Sequence, residues 1–421
     1  MDRCKHLPAL LLFALGALSN AMSAAQSPAP ACCAPTPFGY NSPSGASGPG
    51  PALANGPDSS GEQTVNSFDL GESAPAQSGS NFAVNSAPNM IGNLLSNSGF
   101  VFQQNSPGFP QPDKDVYSTI AIAGGDRRFK ISENMSPQPR DRVFYAFNGF
   151  QQAARTADDR EIDVNRHTLG GEKTFWDRTA SIEFRMPILQ GLSATQSIDS
   201  NLENDEGVEF GNSTIIPKFI LSDGPDYVLS TGLGINLPTA RNASVRGPGN
   251  LSQPFLNIQN QAVYLSPFLG LLWVPNDTTY VMSYAQADFA TNGNTITDGM
   301  GNRLGSLQDQ NLIHFDVTAG RFLYRDSDTR LSGIAAQLEL HYTTTIQDAE
   351  TLSTAQGTLG NPFNRLDLLI LTAGLNFEFW NTSWLTIGCA VPIRGSEDLV
   401  TRQNPERPFD AELQVLFNRY F

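Results

Sequence analysis

The chain has 421 residues, with 26 Lys and Arg against 41 Asp and Glu, for a formal net charge of −15. An acidic balance without a polybasic run excludes nucleic acid as a partner class, because phosphate contacts need clustered Lys and Arg. Only 16% of residues are charged while Gly (37) and Pro (28) abound, which suits many strands and turns better than helices rich in Ala, Glu, Lys and Leu. At the N-terminus, Arg3, Lys5 and His6 precede an apolar run from Leu7 to Leu18 and the small residues Ala21, Ser23, Ala24 and Ala25. The run is too short for a membrane helix, and the order is that of a secretory signal cleaved after Ala21 or Ala25. Residues 1–25 are therefore expected to be a signal peptide.

Residues 26–115 are dominated by Ser, Asn, Gly, Pro and Ala. Such a segment buries too little apolar surface to offset its ordering entropy. It is expected to be a mostly disordered extension in the periplasm. Within it, Met90 to Phe102 holds Ile91, Leu94, Leu95, Phe100 and Phe102, and three readings stay open: a lumenal plug, a docking segment or an extra strand. Cys4 leaves with the signal, Cys32 and Cys33 are adjacent, and Cys389 stands alone between Ile387 and Val391. That is neither a disulfide framework nor a zinc spacing. Lipidation at Cys32 is disfavoured by Pro30 and Ala31 before it, and Cys389 is expected to face lipid.

Residues 116–421 show period-2 alternation again and again and no apolar run long enough for a membrane helix. This predicts an all-β fold, a transmembrane antiparallel up-and-down barrel of about 12–14 strands. The segments are 117–131, 141–152, 161–174, 178–189, 209–222, 226–238, 261–273, 278–289, 311–324, 329–345, 365–380, 383–394 and 409–421. Thirteen is odd where bacterial barrels are even. A segment around Phe100, or a hairpin at Gly124-Gly125, could make up the parity. Pro187, Pro217, Pro267 and Pro392 fall inside predicted strands, where each removes a ladder donor.

Short links with turn chemistry (Phe175 to Asp177, Ser222 to Asp226, Val274 to Asp277, Asp326 to Thr329, Asn381-Thr382) alternate over the second half with long polar links at 239–260, 290–310, 346–364 and 395–408. An earlier long link runs over 190–208. A membrane barrel needs this alternation and a soluble sandwich does not. All four tryptophans, Trp176, Trp273, Trp380 and Trp384, lie in or beside short links. Indole favours the membrane–water boundary, so all four are expected as interface aromatics on one rim. In the last strand, Phe409, Ala411, Leu413, Val415 and Phe417 alternate with Asp410, Glu412, Gln414, Leu416 and Asn418 before the terminal Phe421. Phe417 and Phe421 are read as an assembly signal for the barrel assembly machinery, although Arg419 breaks its pattern at one position.

Two stretches carry a resemblance. Glu209 to Thr214, Lys218-Phe219 and Gly232 to Thr239 resemble a hairpin of the outer-membrane family labelled as meta-pathway phenol degradation proteins. Phe129 to Asn134, with Pro137, Pro139 and Arg140 to Phe144, resembles a segment of uncharacterised planctomycete barrel proteins. Together they cover about a tenth of the chain. The resemblance implies an outer-membrane barrel passing hydrophobic or aromatic small molecules, and it transfers no catalytic residue.

The sequence shows no P-loop, dinucleotide fingerprint, HExxH or nucleophile elbow, and no cofactor is expected. The strand parities put His314, Asp316 and Thr318 inward on one strand and Gln337, Glu339, His341 and Thr343 inward on the next. A two-residue turn at Ser327-Asp328 would set His314 opposite His341 and Asp316 opposite Glu339. Paired imidazoles with carboxylates suit a transition metal or a proton-responsive site, but ordinary lumenal packing is favoured over a metal site. Glu183, Arg185, Lys218, Gln286, Asp288, Asn376 and Glu378 are further inward candidates. Acidic loop residues Asp199, Glu203, Asp205, Glu206 and Glu209 are read as a solvated outer loop rather than a Ca²⁺ site. The function expected is a passive pore for small solutes, hydrophobic ones included, in the cell outer membrane. The alternatives are a plugged structural or binding barrel and, last, an envelope enzyme. Lipid and small-molecule solutes are the partners implied.

Overall fold

In lipid every backbone N–H and C=O must find a partner within the protein, and a sheet can do this only by closing on itself. The computed structural model, which describes residues 86–93, 99–104, 117–155, 161–197, 207–246, 254–354, 357–360, 365–395 and 407–421, has that closure. Twelve strands form the wall: β1 (Arg142–Arg155), β2 (Glu161–Phe175), β3 (Ala180–Gln190), β4 (Ser213–Asp223), β5 (Tyr227–Leu237), β6 (Tyr264–Asn276), β7 (Thr279–Ala290), β8 (Leu312–Arg325), β9 (Leu331–Thr345), β10 (Asp367–Phe379), β11 (Ser383–Pro392) and β12 (Ala411–Tyr420). Each pairs antiparallel with its sequence neighbours, and β12 pairs with β1 from Ala411↔Gln151 to Tyr420↔Arg142, so the wall has no free edge.

The wall is inverted relative to a water-soluble protein. On β8 the exposed face carries Phe315 and Val317, while His314, Asp316 and Thr318 are buried. Leu169, Ile182, Phe184, Leu269, Leu340, Ile387 and Leu413 are likewise exposed on their strands. Apolar out and polar in is the signature of a lipid-facing barrel. Cys389 lies on this outer parity and is half-buried.

The prolines sit where a ladder is already broken on one side. β3–β4 pairing runs to Arg185 and resumes at Ile188 with a short strand at Val208–Phe210, skipping Pro187. β4–β5 pairing skips Ile216 and Pro217, and β6–β7 pairing skips Ser266 and Pro267. Pro392 ends β11. The missing N–H groups therefore leave no gap in the lattice.

One rim carries only tight turns. Trp380 and Asn381 both have positive φ, and Thr382 N–H donates to the Phe379 carbonyl at 3.2 Å, the primed geometry that matches strand twist. The long links at 190–208, 239–260, 290–310 and 346–364 lie at the opposite end and, with two segments from before the barrel, supply two small sheets. One orders the strands Thr351–Ser353, Gly357–Gly360, Gly99–Gln104 and Tyr117–Ala121. The other orders Arg303–Leu307, Asn294–Asp298, Leu256–Ile258, Ala243–Arg246 and Thr195–Ser197. Ile120, Ile122, Val245, Leu256, Ile258, Ile296, Leu307 and Leu359 share an apolar core between them.

The expected barrel strand 117–131 is not one. Only Tyr117–Ala121 is strand, and it pairs with Gly99–Gln104 in the loop-end sheet. Ile122–Gly125 is a 3₁₀ turn, and the chain then enters the barrel. Asp126, Arg127, Arg128 and Lys130 put charge on both parities, so no lipid face could form. Removing this segment from the thirteen leaves the twelve observed.

Candidate functional site in the barrel lumen

The lumen is threaded twice by the chain. Residues 86–93 run from the rim end, where Arg325 bonds the Ser86 hydroxyl, toward the loop end. After the 99–104 and 117–121 strands, residues 126–141 return through the lumen to the start of β1 at the rim. The two passes touch in register: Met90 N–H donates to the Met135 carbonyl at 3.0 Å and Asn134 N–H to the Ile91 carbonyl at 3.1 Å. Residues 87–93 are all buried. The Met90–Phe102 patch, open to a lumenal plug, a docking segment or an extra strand, places residues 90–93 in the lumen and 99–102 in a strand of the loop-end sheet; Leu94 and Leu95 lie outside the described residues, as do Cys4, Cys32, Cys33 and the signal segment.

The returning pass is held by charge. Lys130 Nζ lies 2.6 Å from Asp316, Glu133 pairs with Arg166, and Arg127 pairs with Asp309, which also binds the Tyr264 hydroxyl. Ile131 N–H donates to Gln286 Oε1 at 2.7 Å, and Lys218 Nζ donates to the Ser136 carbonyl at 2.8 Å. The outgoing pass contains no charged residue (Ser-Ala-Pro-Asn-Met-Ile-Gly-Asn) and forms no ion pair of its own; Arg325, Arg140 and Lys130 donate to the Ser86 hydroxyl, the Ala87 carbonyl and Asn93 Oδ1, and the remaining partners are neutral amides and one carboxylate. Glu339 accepts the N–H groups of Ile91 and Gly92, each at 2.8 Å. Met90, Ile131 and Met135 of the two passes pack among wall residues Phe268, Tyr280, Tyr284, Phe322 and Trp384, so the lumen near β6–β8 is apolar where the passes lean on it.

Charge on the wall is divided. On β1–β4, Arg142 bridges Glu172 at 3.1 Å and Glu183 at 2.6 Å, Arg185 joins Glu183 at 2.6 Å, and Lys218 joins Glu172 at 2.8 Å. Asp288, Asp316, Glu339 and Glu378 line β7–β10, with Glu412 on β12. The inward parities expected for Glu183, Arg185, Lys218, Gln286, Asp288, Asn376 and Glu378 are those observed, all buried.

The histidine pair is not formed as the two-residue turn implied. His341 pairs with Asp316 and His314 with Thr343, and Glu339 faces Thr318. The β8–β9 turn is longer, with Asp326 N–H donating to the Ser332 carbonyl, and a bulge between Phe322 and Tyr324 shifts the ladder. His341 Nδ1 is 2.8 Å from Asp316 and its Nε2 3.0 Å from Glu339. His314 Nε2 is 3.0 Å from Asp288 and its Nδ1 2.8 Å from the Thr343 hydroxyl. Both nitrogens of each ring are engaged, and no cluster of three metal-ligating side chains occurs among the described residues.

Three tryptophans sit at the rim and face outward: Trp176, Trp273 and Trp380 are 73%, 45% and 61% exposed. Trp384 does not join them. It is directly paired with Glu378 and Asn418 and shares their inward face, where it packs edge-on against Phe322, centroids 6.3 Å apart. In β12, Leu413 and Phe417 face outward as expected. Phe409 precedes the strand and is buried against Phe150, and Phe421 is exposed at the rim with its N–H on the Asp141 carbonyl. Glu209 binds Arg241 and the Ala194 N–H; Asp199, Glu203, Asp205 and Glu206 lie outside the described residues. The residues sequence reasoning missed are Arg127, Lys130 and Glu133. The run Asp126 to Lys130, dense with charge in a chain otherwise sparing of it, was the available signal.

No protein-family model matches the chain, and no curated protein matches it. Solved structures similar in shape are outer-membrane barrels. An outer-membrane channel from Pseudomonas putida F1 is 12% identical over 70% of this chain and 98% of its own, with a TM-score of 0.42. The Pseudomonas putida toluene transporter TodX is 10% identical over 78% and 99%, at 0.32. The KdgM porin, solved with disordered oligogalacturonate, is 9% identical over 66% and 99%, at 0.34.

Proposed function

We propose that this protein is an outer-membrane channel for small solutes, held shut at rest by its own chain. The observation that carries the reading is the pairing of a polar, lipid-shielded lumen with an uncharged pass, residues 86–93, that lies along it without an ion pair between its own side chains and the wall. A segment so held can leave without stranding a buried charge of its own, whereas loss of 126–141 would strand several. In this reading residues 1–25 are a cleaved signal and the tight-turn rim faces the periplasm, with the longer loops outside. Trp176, Trp273 and Trp380 anchor that rim in lipid, and the β12 terminus with Phe417 and Phe421 is what the barrel assembly machinery reads.

The test is solute flux. Reconstituted protein in liposome-swelling assays with solutes of graded size and polarity should pass small solutes slowly. Loosening the outgoing pass with Ile91→Asp should raise the rate. If neither protein passes any solute, the reading fails.

The packing itself favours a second reading, a permanently plugged structural or binding barrel. Thr318, Thr372 and Asn376 are 0% exposed, which an open bore would not allow. That reading predicts no flux in either protein. An enzyme is the last alternative. Asp288, His314 and Thr343 stand in the order of a catalytic triad, but all three are buried. A hydrolase screen comparing the protein with Thr343→Val tests it.

A further inference from the structure

We infer that residues 86–93 occupy the channel's own solute site, and that the solute class is a short uncharged peptide bearing a branched aliphatic side chain. This rests on the channel reading above and adds to it what the channel recognises.

The wall addresses the outgoing pass chiefly through its main chain. Glu339 accepts the N–H groups of Ile91 and Gly92, both at 2.8 Å. Gln337 Nε2 donates to the Asn89 carbonyl at 3.2 Å, and Gln414 Nε2 donates to the Gly92 carbonyl at 2.7 Å. Donors and acceptors are thus set at the spacing of a peptide backbone, from β9 on one side and β12 on the other. None of these four bonds depends on which side chains the peptide carries, so a different peptide could make them.

The wall also meets two polar side chains of the pass, Arg325 on the Ser86 hydroxyl and the Tyr420 O–H on Asn89 Oδ1 at 3.1 Å, but it is at Ile91 that the wall is cut back to admit a side chain. Gly374 on β10 and Gly388 on β11 are directly paired, and both lie under Ile91. A Cβ on Gly374 would overlap Ile91 Cδ1, and one on Gly388 would stand 3.1 Å from Ile91 Cδ1 and Cγ2. Two paired glycines in strand interiors weaken a wall and mark a close approach from the lumen. Here they open a niche that Ile91 fills, beside Ala146 and Leu416. A carboxylate and two amides around an aliphatic niche suit a neutral amide chain. They suit an anion poorly, because Glu339 would repel it.

The full-length protein in planar bilayers tests this, with a capped Asn-Met-Ile-Gly-Asn peptide as probe and Asn-Met-Asp-Gly-Asn as control. Ile91→Asp places a carboxylate beside Glu339 and empties the niche. It is expected to conduct about tenfold above the unaltered protein and to be blocked by the probe about tenfold more potently than by the control. Adding Gly388→Val, which fills the niche, should bring the probe's potency down to that of the control. Should Ile91→Asp fail to show the heat-shifted electrophoretic mobility of a folded barrel, Ile91→Ala takes its place with the same expectations. A conducting variant blocked equally by both peptides, or by neither, overturns the inference and leaves the channel standing. Silence from the unaltered protein and the folded variants alike overturns the channel reading instead.

Discussion

His341 lies directly across the β8–β9 ladder from Asp316, Nδ1 to Oδ1 2.8 Å, and the same carboxylate oxygen receives Lys130 Nζ at 2.6 Å. One wall carboxylate therefore ties two wall strands to the returning lumenal pass. Lys130→Met would leave Asp316 buried without its full charge partner, a change that costs about 3–5 kcal/mol in such sites. Lys130→Met with Asp316→Asn should recover most of the loss. Guanidinium unfolding of the detergent-solubilised barrel measures both.

The same pair bears on metal binding. With Asp288 and Thr343 on one imidazole and Asp316 and Glu339 on the other, neither histidine offers a nitrogen that is not already engaged. Titration with Zn²⁺ by calorimetry should give the same signal for the protein and for His314→Ala with His341→Ala. A saturable binding step lost in the double variant would refute this.

The tryptophans divide three to one. In single-tryptophan variants reconstituted into bilayers with brominated lipid, fluorescence from Trp176, Trp273 and Trp380 should be quenched and that from Trp384 largely spared. Trp384 reports the lumen instead, and Phe322→Ala should shift its emission, because the two rings meet edge-on.

Four aromatic rings in the wall lie on glycines directly opposite them: Phe144 on Gly170, Phe268 on Gly232, Tyr284 on Gly270 and Tyr280 on Gly320. The ring covers the backbone that glycine leaves bare and fixes the register of two strands. A Cβ on Gly320 would overlap the Tyr280 ring. Gly320→Ala should destabilise the barrel by about 1–3 kcal/mol, the usual cost of overpacking, and Tyr280→Leu in the same chain should restore part of it.

How far the sequence spoke depended on which periodicity a residue obeyed. Period-2 alternation marked the twelve wall strands within a few residues, because each must present lipid on one parity and the lumen on the other. It gave the inward set from Glu183 to Glu378 for the same reason. Register was less legible: a bulge near Phe322 and a longer turn moved His341 from His314 to Asp316, and neither leaves a mark in a hydrophobic pattern. Trp384 was misplaced because nearness to a turn was weighed above its parity with Glu378. The lumenal passes were hardest. A segment packed inside a barrel answers to the wall around it, so Asn89 to Asn93 look like linker, and Asp126 to Lys130 look like an irregular strand, until their partners are seen.

The most direct test of a lumen filled by its own chain is chemical access to Thr372. Its side chain is 0% exposed on β10, at the position opposite Glu339, where the outgoing pass docks. In a background with the native cysteines replaced by serine, Thr372→Cys should react with a small charged maleimide far more slowly than a rim control at Asp328→Cys. Combining it with Ile91→Asp should raise its rate toward that of the control. Fast labelling of Thr372→Cys with residues 86–93 unaltered would mean that the lumen stands open, contradicting this account.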